Sequence, residues 1–215
     1  MAPELDPERA RQHLLAADPV LARVVRAVGL PPLRPRGSSP FQSLGRAIIY
    51  QQLSGRAAGT IYERFLGLFA QPEDREGEWW FPAPEVVLGA TDDELRAAGL
   101  SRQKIASIRD LALHFAEGRL STERFDAWDD EEIIGHLTQV RGVGRWTAEM
   151  FLMMHLRRPD VMPVNDVGIN RAIKQLYGLD DLPKPPAVLA TAEPWRPWAT
   201  AACLYLWRSL SIEVP

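Results

Sequence analysis

Apolar residues in this chain recur at every third or fourth position, segment after segment, with no run that alternates at the period of a strand. That spacing lines one face of a helix, so the chain buries its apolar surface by packing helices on helices. Arg9 to Val28 carries Leu14, Leu15, Val20, Leu21, Val24 and Val25 at helical spacing, and Pro31-Pro32-Leu33-Arg34-Pro35 ends it. Phe41 to Leu53 is strongly periodic, and Ser54 is placed to cap a further helix running to about Phe69. Pro72 to Pro84 reads as an acidic, tryptophan-containing loop, with short helices following around Pro84–Leu88 and Asp92–Ala98. Ser101 opens an amphipathic helix that stops at Gly118. Asp129–Val140 and Arg145–Leu156 are helices on either side of a glycine-containing corner, and Asp166 starts another that ends near Tyr177-Gly178. Pro183 to Pro186 reads as a linker and Trp195 to Leu210 as the last helix. The expected fold is all-α.

The 215 residues suit one large domain or two small lobes. The lone Cys203 excludes an internal disulfide framework and any cysteine-ligated zinc or iron–sulfur cluster. His13, His114, His136 and His155 lack the spacing of zinc ligands, so no zinc site is expected either. The start, MAPELDPERARQ, has no apolar targeting segment, and no apolar run approaches membrane-spanning length. With one free cysteine, the setting expected is reducing and cytoplasmic, with no membrane partner.

The net charge of -3 argues mildly against a nucleic-acid partner, but it is unevenly spread. Acidic residues crowd into Glu73–Glu94 and Glu123–Glu132. From Arg141 to Lys174 the balance reverses, with Arg141, Arg145, Arg157, Arg158, Arg171 and Lys174 against Glu149, Asp160 and Asp166.

Within that basic stretch lies LTQVRGVGRWTAEM, Leu137 to Met150. Helix, Gly-Val-Gly, helix is a tight turn in which Gly142 and Gly144 can both take positive φ and admit another backbone closely. The helix that follows points its unpaired N–H groups and positive dipole end outward, a seat for phosphate to which Arg145 adds charge and Thr147 a hydroxyl. Such corners also serve as plain connections.

The whole segment resembles the helix-hairpin-helix motif of the base-excision DNA glycosylase superfamily, with its Leu-x-x-(Val/Leu/Phe)-x-Gly-(Val/Ile)-Gly pattern. That superfamily carries an aspartate further on, matched here by Met162-Pro163-Val164-Asn165-Asp166, 22 residues after Gly144. FQSLGRAIIYQQLSGRAAGTIYERF, GLSRQKIASIRDLA and PWATAACLYLW resemble other family segments in the same order. Members that also cut the strand place a lysine two residues after the second hairpin glycine, where Trp146 stands here, so the resemblance implies a monofunctional enzyme. It is closest to the 3-methyladenine DNA glycosylase II (AlkA-type) branch, in a compact form without an N-terminal β domain. Met150 departs from the tyrosine common in that branch and softens one wall of the pocket.

The resemblance implies a two-lobed helical fold with a DNA cleft between lobes. Residues 42–156 would form the central lobe, ending in the hairpin at 137–150, and 1–41 with 157–215 the second. It assigns Asp166 as the carboxylate that stabilises an oxocarbenium-like sugar and orients water, although Asp166 also reads as a plain helix N-cap. Trp146 and Trp207 would offer ring faces to a cationic purine, or serve as core, and Met150 and Tyr50 would complete the pocket. DNA contacts are expected from Gly142, Val143, Gly144, Arg145 and Thr147, and from Gln52, Leu53 and Ser54. Gln52 takes the aligned position of a wedge and Leu53 has its apolar chemistry. The main-chain carbonyls of Thr138, Val140 and Val143 match a monovalent cation (Na+ or K+) site, with no other cofactor required. The expected partner is double-stranded DNA with a damaged base, bound by a nucleoid-associated monomer. Rival readings are a glycosylase of the same fold for uracil, hypoxanthine or 1,N6-ethenoadenine, and a non-catalytic DNA-binding module.

Overall fold

The computed structural model describes residues 4–30, 39–53, 55–69 and 80–213. Among them the secondary structure is wholly helical, as the periodicity predicts. The order is α1 (Pro7–Ala17), α2 (Pro19–Val28), α3 (Pro40–Tyr50), α4 (Gly55–Leu66), α5 (Pro84–Gly89), α6 (Asp92–Ala97), α7 (Arg102–Ala116) and α8 (Asp130–Leu137). It continues with α9 (Arg145–Met154), α10 (Val167–Tyr177), α11 (Pro185–Ala192), a 3-10 turn (Glu193–Trp195) and α12 (Ala199–Ser209). Ser54, Pro31–Pro35 and residues 72–79 of the acidic loop lie outside the described residues.

The chain forms two compact units, one from residues before 36 together with those after 151, the other from 36–151. The passage between them thus falls within α9. In the second unit α7 is the hub, packing against α3, α5 and α6. Phe41 stands edge-on to Phe81 and Phe115, with ring centroids 5.3 Å away in each case. In the first unit α12 packs on α2, α10 and α1. Tyr205, fully buried on α12, donates its hydroxyl to the Gly29 carbonyl at 2.7 Å, closing the C-terminus of α2.

Three expected elements of the first unit differ. The helix over Arg9–Val28 is broken at Asp18, whose extended backbone (φ -142°, ψ 107°) precedes Pro19. Proline lacks an N–H and pushes its predecessor out of the helical region, so one amphipathic stretch becomes two helices. The supposed linker Pro183–Pro186 ends in the first turn of α11, because proline suits positions whose N–H has no partner. The last helix begins at Ala199, not Trp195, which belongs to the 3-10 turn.

Asp18 organises the first unit. Its Oδ1 accepts from the Val20 and Leu21 amides at 2.8 and 3.0 Å, capping α2. Its Oδ2 accepts from Trp195 Nε1 at 2.8 Å and from the Tyr177 hydroxyl. Burial pushes its pKa up, but these hydrogen bonds outweigh burial and hold it below the usual carboxylate value. Replacing Asp18 with Ala orphans the indole and phenol together with the cap, and thermal denaturation should show a loss of about 2–4 kcal/mol. With a lowered folded pKa, its contribution is complete above the unfolded value of about 3.9 and is lost as pH falls through the folded one. Acid titration of wild type against Asp18→Ala should therefore show the difference shrinking below that pH.

Candidate functional site

The hairpin is built from caps. Asp129 and Glu132 form a reciprocal capping box at the start of α8, which ends at Thr138. The Arg141 amide then donates to Asp110 Oδ2 at 2.7 Å, tying the corner to α7. Gly142 has φ 80°, and a Cβ there would fall 2.3 Å from Ser107 Oγ and 2.9 Å from its Cβ, so glycine is required twice over. Positive φ was expected at both glycines, and Gly144 does not adopt it. The space where its side chain would project is open, so its small size serves the outward face of the corner.

Val143 is buried, so its side chain is not offered to a ligand. Its amide donates to the Val140 carbonyl at 3.0 Å. Arg145, expected as a free charge at the phosphate seat, instead grips Glu131 with both ends of its guanidinium (2.9 and 2.5 Å). Glu149 lies 3.7 Å from the same group. Thr147 is a second correction: it is buried, with Oγ1 accepting from Gln51 Nε2 at 3.1 Å, because the turn after α3 packs onto this face of α9.

That turn carries Gln51, Gln52 and Leu53. α3 stops at Tyr50, three residues earlier than periodicity suggests, and Gln52 takes the left-handed conformation at φ 58°. Gln52 and Leu53 are both exposed at its tip. A cavity of about 490 Å³ is lined by Tyr50, Gln52, Leu53, Gly142, Gly144, Trp146 and Met150, among others. With Thr147, which also lines it, the structure gathers eight sequence-selected residues around one hollow. Trp146 is 43% exposed on the first turn of α9, far from an ordinary core position. Arg46 places its guanidinium 4.1 Å from the Tyr50 ring centroid, a partner readable as an i,i+4 pair.

Asp166 and Trp207 meet in the other unit. Asp166 is the N-cap of α10, its Oδ1 accepting from the Ile169 amide at 2.8 Å. The same oxygen accepts from Trp207 Nε1 at 2.9 Å. A cap needs no indole, so the second donor marks a carboxylate oriented for more than helix ends. Gly168 lets them meet, since a Cβ there would lie 3.1 Å from both Asp166 Oδ1 and the Trp207 ring. Thr200, seven residues before Trp207 on the same face of α12, accepts from the Val161 amide at 3.1 Å and donates to the Arg158 carbonyl at 2.7 Å. It staples the segment that leads to Asp166. Nothing local in the sequence announces Thr200 or Gly168.

Against known proteins, residues 46–197 match the model of the HhH-GPD superfamily of base excision DNA repair proteins. The chain belongs to that family. It is 36% identical over 206 residues to DNA-3-methyladenine glycosylase 1 of Schizosaccharomyces pombe, covering 94% of this chain and 86% of that protein. To YfjP of Bacillus subtilis it is 37% identical over 172 residues, which spans 80% of this chain and 59% of YfjP. A solved structure of the S. pombe glycosylase Mag1 in complex with abasic DNA superposes with a TM-score of 0.82 at 34% identity, covering 96% of this chain and 98% of that one.

As an HhH-GPD protein, the chain owes its corner to two glycines with different duties. Gly142→Ala should lower stability by about 1–3 kcal/mol through positive-φ strain and the Ser107 clash. Gly144→Ala should melt near wild type by circular dichroism, since its Cβ meets nothing.

Proposed function

We propose that this protein is a monofunctional DNA glycosylase that excises alkylated purines of the 3-methyladenine and 7-methylguanine type in base excision repair. The observation that carries this is the buried Asp166 carboxylate with one oxygen pinned by both the Ile169 amide and the Trp207 indole. Its family membership and its likeness to named 3-methyladenine glycosylases support the substrate class. Damaged duplex DNA is the partner, bound by a monomer.

A base stacked in a duplex is out of reach, so the nucleotide must be swung out. The tip at Gln52 and Leu53 fills the gap, and the outward amides around Gly144 receive backbone phosphate. Alkylation puts positive charge on the purine, which weakens its bond to the sugar and draws it to an indole face, a contact worth about 0.5–2 kcal/mol for which Trp146 and Trp207 are the candidates. As the bond breaks, the sugar gains oxocarbenium character, which the Asp166 carboxylate stabilises while orienting water for attack. Water is the nucleophile, so the strand stays intact. The main-chain carbonyls of Thr138, Val140 and Val143 are the groups that would hold a monovalent cation, and Na+ or K+ there would supply positive charge for a phosphate.

The test is chromatography of bases freed from a panel of duplexes carrying methylated purines, uracil, hypoxanthine or 1,N6-ethenoadenine. Release of 3-methyladenine or 7-methylguanine, with no borohydride-trapped adduct, is expected. Release confined to uracil, hypoxanthine or 1,N6-ethenoadenine would move the substrate, and no release at all would leave a binding module. Asp166→Asn keeps a competent cap and removes the charge, so excision should fall by about 1000-fold or more while affinity for duplex DNA persists. Glu131→Gln should free Arg145 for phosphate, tightening DNA binding and steepening the log K against log salt slope by about 1 in fluorescence titrations.

A further inference from the structure

The last carbonyls of a helix have no partners within it, and those at the end of α3 are met from outside. Lys104 Nζ donates to the Ile49 carbonyl at 2.5 Å and to the Gln51 carbonyl at 2.9 Å. Lys104 itself sits in the first turn of α7, where its own amide is capped by Ser101 Oγ at 3.3 Å. A cation at a helix N-terminus opposes the dipole of that helix. Burial adds a second cost and pushes the Lys104 pKa down. Such a placement is favourable only at the other end of the side chain, against the negative C-terminus of α3.

What the ammonium holds is the base of the turn that ends in Gln52 and Leu53. The Gln51 carbonyl is fixed by Lys104, while the Gln51 side chain reaches the hairpin, donating to the Gly142 carbonyl at 2.9 Å and to Thr147 Oγ1 at 3.1 Å. The next residue is already strained at φ 58°, and the tip beyond it is exposed, Leu53 by 39%. A tip that displaces a base from its stack must pass the resistance of that stack into the body of the protein. We propose that Lys104 is a positioning residue that braces the Gln52–Leu53 tip against that load, acting with Gln51 to lock the turn between α7 and the hairpin. The proposal rests on the glycosylase reading and adds to it a residue that touches neither base nor sugar.

The experiment compares single-turnover release of 7-methylguanine from two duplexes, one with the lesion paired to cytosine and one with it opposite an abasic site, where there is no partner to break from. Lys104→Met should slow the paired substrate at least about tenfold more than the unpaired one, and Lys104→Arg, which retains a cationic donor, should recover most of the loss. Equal slowing of both substrates, or no slowing of either, overturns the brace while leaving the glycosylase intact. Wild type inactive on both duplexes sinks the glycosylase reading, and the brace with it. If circular dichroism shows that Lys104→Met does not fold, Lys104→Gln, with a neutral donor, carries the same comparison.

Discussion

One carboxylate oxygen sets the terms for much of the first unit. Asp166 Oδ1 receives the Ile169 amide from the start of α10 and the indole N–H of Trp207 from α12, so two helices must converge on a single atom. The convergence favours glycine at 168, where a Cβ would press on both partners, and Thr200, two turns before Trp207, fixes the approach to Asp166. Further back, Asp18 locks Trp195 and Tyr177, and Tyr205 locks the end of α2, so α12 is held along its length. Buried polar groups cost stability unless each is satisfied, and here they are spent on orientation.

The second unit solves a different problem, presenting backbone rather than charge. Gly142 is pressed against Ser107, Thr147 is turned inward, and Arg145 is held by Glu131, while the space beside Gly144 stays open. That arrangement accords with a chain whose net charge is -3. The locally basic stretch from Arg141 is partly neutralised in place, by Glu131 on Arg145 and by Glu4, 3.6 Å from Arg157. DNA binding of this kind depends on helix ends and shape more than on a broad cationic surface.

Most helices were legible because amphipathic periodicity is a local signal; the hairpin was legible as a tight corner, and only the family resemblance raised it above a plain connection. Asp166 was legible as a cap, and the resemblance gave it a second role. The break at Asp18 was also written locally, in Asp-Pro, but was masked by continuous apolar spacing on both sides. The partners of the site were not legible. Lys104, Glu131 and Thr200 act on groups 53, 14 and 39 residues away, and no periodicity or motif encodes such pairings. Arg145 and Thr147 show the converse: residue type suggested phosphate contact, whereas tertiary partners had already claimed both side chains.

We infer that the Asp166 carboxylate works because the Trp207 N–H holds its Oδ1, and Trp207→Phe removes that restraint alone. Phenylalanine keeps an aromatic face but removes the N–H that reaches Oδ1. Single-turnover release of 7-methylguanine should slow by about 10- to 100-fold, with affinity for abasic-site DNA unchanged. Wild-type excision by the phenylalanine variant would mean that Asp166 needs no hold from the indole.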